Sequence, residues 1–481
     1  MNYVRFTALL GLAAVALPSA ARAYELNDWP AYVAEKTEDG QTQSWAAAGP
    51  FLFSEPTAAP DAGTAGGFRP FDVTITGGGS VRTDILYPLF FYRKYPDSYK
   101  WSILSLINGE GIDAKATAAG GPLDKHFDIW PVYFSHETGN PIDTYHALLP
   151  IYGTMKYRLG YDKLAWAPFP IYVETVKHDT RTIYTPWPIV RFVSGAENGF
   201  AIWPLFGNTR GPGEARHNFY LWPLIWDNVL EPRPDAPAGA PGGTEVGFLP
   251  FYTHEEGPGV TSSNYLWPFF GFTNRTSPYR YSEERYLWPF FVQGRGDDRY
   301  VNRWGPFYTH SVIKGHDATW VGWPFWHQQV WSDDGEIEET KTQFFYFVYW
   351  SLDERSLSRP GIAHAYKKHL WPVASVWDNG AGSRQVEFPS PLEVFFPDNP
   401  DMREVWGPLF ALYRYDHKPT GEARTSLLWN AVTWRCNAGE GLVEFHVGPI
   451  LGMRRDPQGK HWSILGFDFG SDVNKDRVAQ R

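Results

Sequence analysis

The chain of 481 residues contains a single cysteine, Cys436. No intramolecular disulfide can form, and every Cys-based zinc or haem signature is excluded. Beyond residue 23 no stretch approaches the ~18 consecutive apolar residues that a membrane helix needs, which excludes a helix-spanning protein. Positive charge is in deficit, with 43 Lys and Arg against 53 Asp and Glu. The net charge of −10 becomes −12 once Arg5 and Arg22 leave with the N-terminus. So acidic a chain has no electrostatic footprint for nucleic acid. Motifs of catalysis are also missing: no Gly-x-Ser-x-Gly elbow, no His-Glu-x-x-His, no Gly-rich phosphate loop. The chain therefore reads as non-enzymatic and no cofactor is expected. Paired carboxylates leave no local signature, so an exported carbohydrate-active enzyme with its carboxylates on loops such as 231–243 stays as an alternative.

The first 23 residues are a signal peptide by pattern. Arg5 supplies a positive n-region, residues 6–17 a short apolar core, and Ala21-Arg22-Ala23 a small-x-small cleavage site. Residues 24–83 follow as a linker-like arm or plug, because Pro56 to Gly67 and Gly77-Gly78-Gly79 are rich in Pro, Gly and Ala. Residues 84–481 form the repeat-built domain.

The repeat is a short phrase, seen in full at Tyr220-Leu221-Trp222-Pro223, Tyr265-Leu266-Trp267-Pro268-Phe269 and Tyr286-Leu287-Trp288-Pro289-Phe290. Degenerate copies include Trp130-Pro131, Trp203-Pro204, Trp323-Pro324 and Trp371-Pro372. Internal repetition of this kind decides the architecture before any other signal. The copies recur about every 18 residues, with Asp/Asn/Gly turn signals such as Asp333-Asp334-Gly335 between them. One turn and one apolar centre per unit predicts an all-β antiparallel meander of about 20 strands over 84–469. Proline in nearly every apolar run argues against helix. Within a strand it would also cost a ladder hydrogen bond.

So long a meander has two edges to hide, and a closed barrel hides both. A propeller-like or stacked β-sheet assembly, or a β-solenoid, are the alternatives. Aromatics make up 17% of the chain while its mean hydropathy is −0.37, as in barrels with aromatic girdles. In period and composition residues 84–469 resemble meander-type outer-membrane barrels as a class. That resemblance implies a Gram-negative outer-membrane protein acting as a channel or surface scaffold for sugars or apolar solutes, with outer-membrane lipid as its partner. The competing expectation is a soluble exported module, periplasmic or secreted, that binds carbohydrate or protein.

Two residue sets are candidates for ligand contact. Trp222, Trp267, Trp288, Trp323 and Trp371 offer flat faces that stack on sugars or line an apolar path. His136, His254 and His310 follow their marker prolines by four or five residues. Equivalent register would bring several imidazoles to one level, where they bind a metal or answer to pH. Each set also has a plain structural reading: repeated packing anchors for the tryptophans, copied strand ends for the histidines.

Overall fold

The computed structural model describes residues 23–37, 39–57, 63–112, 123–232 and 242–472. The predicted signal peptide, except Ala23, lies outside them, as do most of the 231–243 loop and the middle of the Pro56 to Gly67 linker. Among the described residues the chain forms 44 β-strands, from β1 (Ala23–Asp28) to β44 (Phe467–Asp472), in one sheet. Each strand pairs antiparallel with the next, as in β25 (Val260–Tyr265) against β26 (Phe270–Arg275), where Tyr265 faces Phe270. The all-β meander is as expected; the strand count is not.

Residues 24–83 add strands outside that count, and within 84–469 the doubling has one cause. The Trp-Pro phrase does not run through a strand but turns the chain between two. Leu266-Trp267-Pro268-Phe269 is the loop joining β25 to β26, and Leu287-Trp288-Pro289-Phe290 does the same for β27 (Tyr281–Tyr286) and β28 (Phe291–Gly296). A repeat of about 18 residues thus holds two strands, one apolar turn and one polar turn. The objection to proline disappears too: in the turn there is no ladder bond to lose.

Successive turns of a meander fall on opposite edges. Connections leaving odd-numbered strands carry the apolar phrase, and those leaving even-numbered strands are polar or bear glycine, such as Asp297-Asp298 and Pro258-Gly259. The sheet therefore has one apolar rim and one polar rim. Residues 24–83 obey the same rule and carry β1 to β6 (Asp72–Gly77) and most of β7 (Ser80–Ile85), each paired in the common ladder.

Along most of its length the wall is a single layer, and it packs by cross-strand rings rather than by a second sheet. Trp166 lies over Gly153 directly opposite it, where a Cβ would come within 2.6 Å of the indole. Trp226 covers Gly247 and Phe219 covers Gly207 in the same way, each at 2.2 Å from such a Cβ. Pairing an aromatic ring with a facing glycine restores the packing that a strand glycine forfeits. This explains why both residue types are abundant here.

The sheet is not closed by a ladder between β44 and β1; its end regions instead meet through side chains. Glu25 of β1 accepts from Thr433 of β40 (Val432–Asn437) and pairs with Arg424 of β39 (Glu422–Leu427) at 3.1 Å. Glu35 of β2 (Tyr32–Thr37) also reaches Arg424, at 3.8 Å. Arg69, after β5 (Thr64–Phe68), donates to Val405 O, and Arg82 of β7 pairs with Asp401. As β1 to β7 proceed, their partners run backward along the chain. That order arises when one sheet turns back so that its ends face each other.

Between these ends sits the helical insert 389–412, with a π-turn at Met402–Trp406 and a short helix at Gly407–Phe410. Met402, Val405 and Trp406 pack on Phe53, Ala65 and Val73 from β4 (Leu52–Pro56), β5 and β6. Val394 packs on Trp350 and Leu352 of β34 (Tyr349–Ser356).

Candidate functional site

The apolar rim is the largest chemically distinctive surface. Trp222, Trp267, Trp288 and Trp323 are 52, 46, 41 and 56% exposed, although each is large and apolar. Their neighbours Leu221, Leu266, Leu287, Phe269, Phe290 and Phe325 are exposed as well. Exposed apolar side chains concentrated along one rim make it the candidate contact surface. Trp371 departs from the other four: it is half-buried, its indole N–H donates to Pro391 O at 3.1 Å, and Phe347 and Phe395 lie against it. It anchors the insert.

The turn backbone is bonded from one turn to the next. Leu221 N donates to Leu205 O and Trp222 N to Pro204 O, both at 2.7 Å, while Leu224 N returns to Leu221 O at 2.8 Å. Pro223 has no N–H to satisfy. At the next-but-four hairpin Gly322 N donates to Phe307 O, Trp323 N to Pro306 O and Phe325 N to Gly322 O. These turns need no water for their donors, which is the condition for entering an apolar medium.

A second feature of the turns concerns leucine. In a subset of the turns the first residue is left-handed: φ is 50° at Leu221, 45° at Leu266, 50° at Leu287 and 47° at Leu428, whereas Trp130, Leu149, Trp203 and Trp371 in the same position are not. Glycine fills the same position at Gly305 and Gly322, both with φ 56°. An L side chain there costs roughly 1–2 kcal/mol that glycine avoids. Leucine is held against the backbone's own preference, so its side chain serves the surface. Such an outlier points toward function.

The three histidines do not converge. His136 of β12 (Tyr133–Thr138), His254 of β24 (Tyr252–Gly257) and His310 of β30 (Tyr308–Ile313) share strand polarity, but each has its own partners. His254 Nδ1 meets Ser263 Oγ at 2.8 Å and His310 Nε2 meets Asp317 at 3.1 Å. His136 alone joins a cluster, and with residues the sequence reading missed. It stands directly opposite His126 of β11 (Asp124–Ile129), the rings stacked at 3.8 Å, and its Nε2 lies 2.8 Å from Asp124 Oδ1. Burial and the facing His136 push the His126 ring below the usual imidazole range. Once Trp130-Pro131 is read as a turn, His126 and His136 fall symmetrically about it; that was the available signal.

A cavity of about 520 Å³ opens at the seam between the ends, lined by Glu35, Glu55, Arg69, Arg414, Arg424 and Trp429 among others. Arg69 lies 3.3 Å over the Phe53 ring and pairs with Glu55 at 2.8 Å. Burial pushes the Glu387 carboxyl up to about 8 despite Arg414 at 3.3 Å. Glu444 is pushed up to about 7 for the same reason, against the pull of Arg435 and Arg454. Charges of both signs interleave here, which suits a joint between chain segments better than a site for one ionic ligand. No known protein family matches the chain, and no characterised protein does.

Proposed function

We propose that the chain is a non-enzymatic envelope scaffold that seats its Trp-Pro rim in the interface of a bilayer, with the strands and acidic polar rim standing in water. The reading keeps the export expected from the N-terminal pattern and the outer-membrane location implied by the barrel resemblance, and changes how the sheet meets lipid. The observation that carries it is leucine retained in left-handed turn positions beside exposed tryptophan and phenylalanine. Trp at the headgroup level and Leu or Phe just below it is the usual partition at such an interface.

Two features favour docking over spanning. Strands of six residues, such as β25 and β26, rise about 20 Å, short of the 9–11 residues that cross a bilayer. Mid-strand residues are polar on both faces, as in Thr261-Ser262-Ser263 and Ser282-Glu283-Glu284, so neither face offers lipid an apolar band. A glycan-binding role for the same tryptophans is less well served, because their turn neighbours Leu266 and Phe269 bring no polar group to sugar hydroxyls.

Flotation with vesicles of zwitterionic and outer-membrane lipid tests the proposal. The expected result is co-flotation that survives 1 M salt (about 3 Å of screening length), since insertion is apolar and the protein is acidic. A chain that stays at the bottom of the gradient with every vesicle sinks the proposal. Heat-dependent gel mobility together with protection of the polar rim from added protease would replace docking by a closed, spanning barrel.

A further inference from the structure

Outside the rim and the seam, one group of side chains on the wall has ligand chemistry of its own. Among the described residues Asp124, His126 and His136 form the group whose donor atoms all lie within 4.8 Å of one another. Asp124 and His126 are two apart on β11 and so project from one face. His136 is the direct cross-strand partner of His126, which puts it on that face too.

The distances suit a shared centre. His136 Nε2 is 2.8 Å and His126 Nε2 is 3.6 Å from the same Asp124 Oδ1. Ligand atoms around a tetrahedral ion with bonds of about 2.0–2.1 Å stand roughly 3.3 Å apart. Both Nε2 atoms are drawn to the same Asp124 Oδ1, and because the stacked rings are nearly parallel, 10° between planes, a rotation of one ring is what turns the two in-plane lone pairs onto one ion. Asp124 is about half exposed and leaves a side open to water. Glu110 of β10 (Ile107–Ile112) lies directly opposite His126 on the other flank and adds a second carboxylate beside the set.

We infer that Asp124, His126 and His136 form a binding site for a borderline divalent transition ion such as Zn²⁺, with water completing the coordination. Two imidazoles and a carboxylate select Zn²⁺, Co²⁺ or Ni²⁺ over Ca²⁺ and Mg²⁺, which prefer all-oxygen sets. The site staples one hairpin across its Trp130-Pro131 turn. It is independent of membrane docking, since it lies on the strand face and not on the rim.

The test uses the full-length chain purified without a histidine tag and stripped with EDTA. Co²⁺ titration followed by visible absorption, then Zn²⁺ competition by calorimetry, reads the site. One tight equivalent per chain is expected, with d–d bands of low-symmetry Co²⁺. In His126→Gln/His136→Gln the affinity should drop by more than the roughly 10–100-fold that loss of an outer-shell partner costs. The control His254→Gln/His310→Gln should bind like the parent. Strand circular dichroism verifies folding, and Asp124→Asn supplies a milder variant if the double variant fails to fold. No tight equivalent in the parent, or one that survives both His126→Gln/His136→Gln and Asp124→Asn, overturns the assignment.

Discussion

The seam and the open wall are built from the same strands and solve opposite problems. At the seam two ends of the sheet face each other around the insert, and polar side chains lose their water. Glu25, Glu387 and Glu444 are almost fully buried there, each beside an arginine. On the wall Glu174 is also buried, but its partners Lys163, Arg181 and Tyr172, all within about 3 Å, are more exposed, Arg181 by half. Burial works against its ionisation, but the hydrogen bonds from Arg181, Tyr172 and Lys163 outweigh it and hold the carboxyl down to about 2. The seam carboxylates Glu387 and Glu444 go the other way. The donors at each carboxylate therefore decide the sign, not the seam alone: at Glu25 burial again opposes ionisation, but Arg424 and the Thr433 hydroxyl outweigh it and hold that carboxyl down.

The comparison breaks most visibly at the seam's cations. Arg414→Met strands Glu387 and Asp416 without their shared partner and should cost about 3–5 kcal/mol, read as a lower urea midpoint. The corresponding wall change, Arg181→Met, should leave the urea midpoint close to that of the parent because that side chain is half exposed and its pairing is screened by water. Equal losses at the two sites would erase the distinction.

Next in size is the packing of the wall. Gly247→Val drives a side chain into the Trp226 ring and should destabilise by about 1–3 kcal/mol, while Trp226→Ala at the same pair gives back the space. If Gly247→Val melts with the parent, ring-on-glycine packing does not hold the wall.

The pH response sharpens the contrast in sign. Glu387 is raised in the folded state to about 8, so the folded chain binds a proton that the unfolded chain has lost above about 4.5. Seam stability is therefore full below that value and falls as pH rises to about 8. Glu174 is lowered, so its contribution is present above about 4.5 and is lost as pH falls through about 2. Urea midpoints of the parent should decline between pH 5 and 8, and Glu387→Gln should flatten that slope. An unchanged slope would remove Glu387 from the account.

The smallest effect on stability belongs to the rim, where Leu266→Gly/Leu287→Gly relieves left-handed leucine. Thermal midpoints should hold or rise slightly, while vesicle affinity falls on the order of tenfold as two half-exposed leucines are lost. Stability lost in parallel with affinity would make the leucines structural.

Much of this is legible in residues 84–469. The period of the Trp-Pro phrase and the Asp/Gly turns between copies give a meander, and they do so correctly. The error lay in the place of the phrase. An apolar run such as Tyr286-Leu287-Trp288-Pro289-Phe290-Phe291 looks like a strand centre, because exposed apolar turns are rare in chains that live in water alone. The same misplacement concealed the pairing of His126 with His136, and it made the proline costly where it costs nothing.

By itself the sequence determined the alternation of apolar and polar connections, and with it an antiparallel sheet having one greasy edge, since local turn chemistry acts within a few residues. Tertiary structure decided what lies hundreds of residues apart: Glu25 against Arg424, Arg69 against Val405, the insert between the two ends. Those contacts depend on how far a long twisted sheet curves, a sum of small rotations over 44 strands that no single repeat encodes.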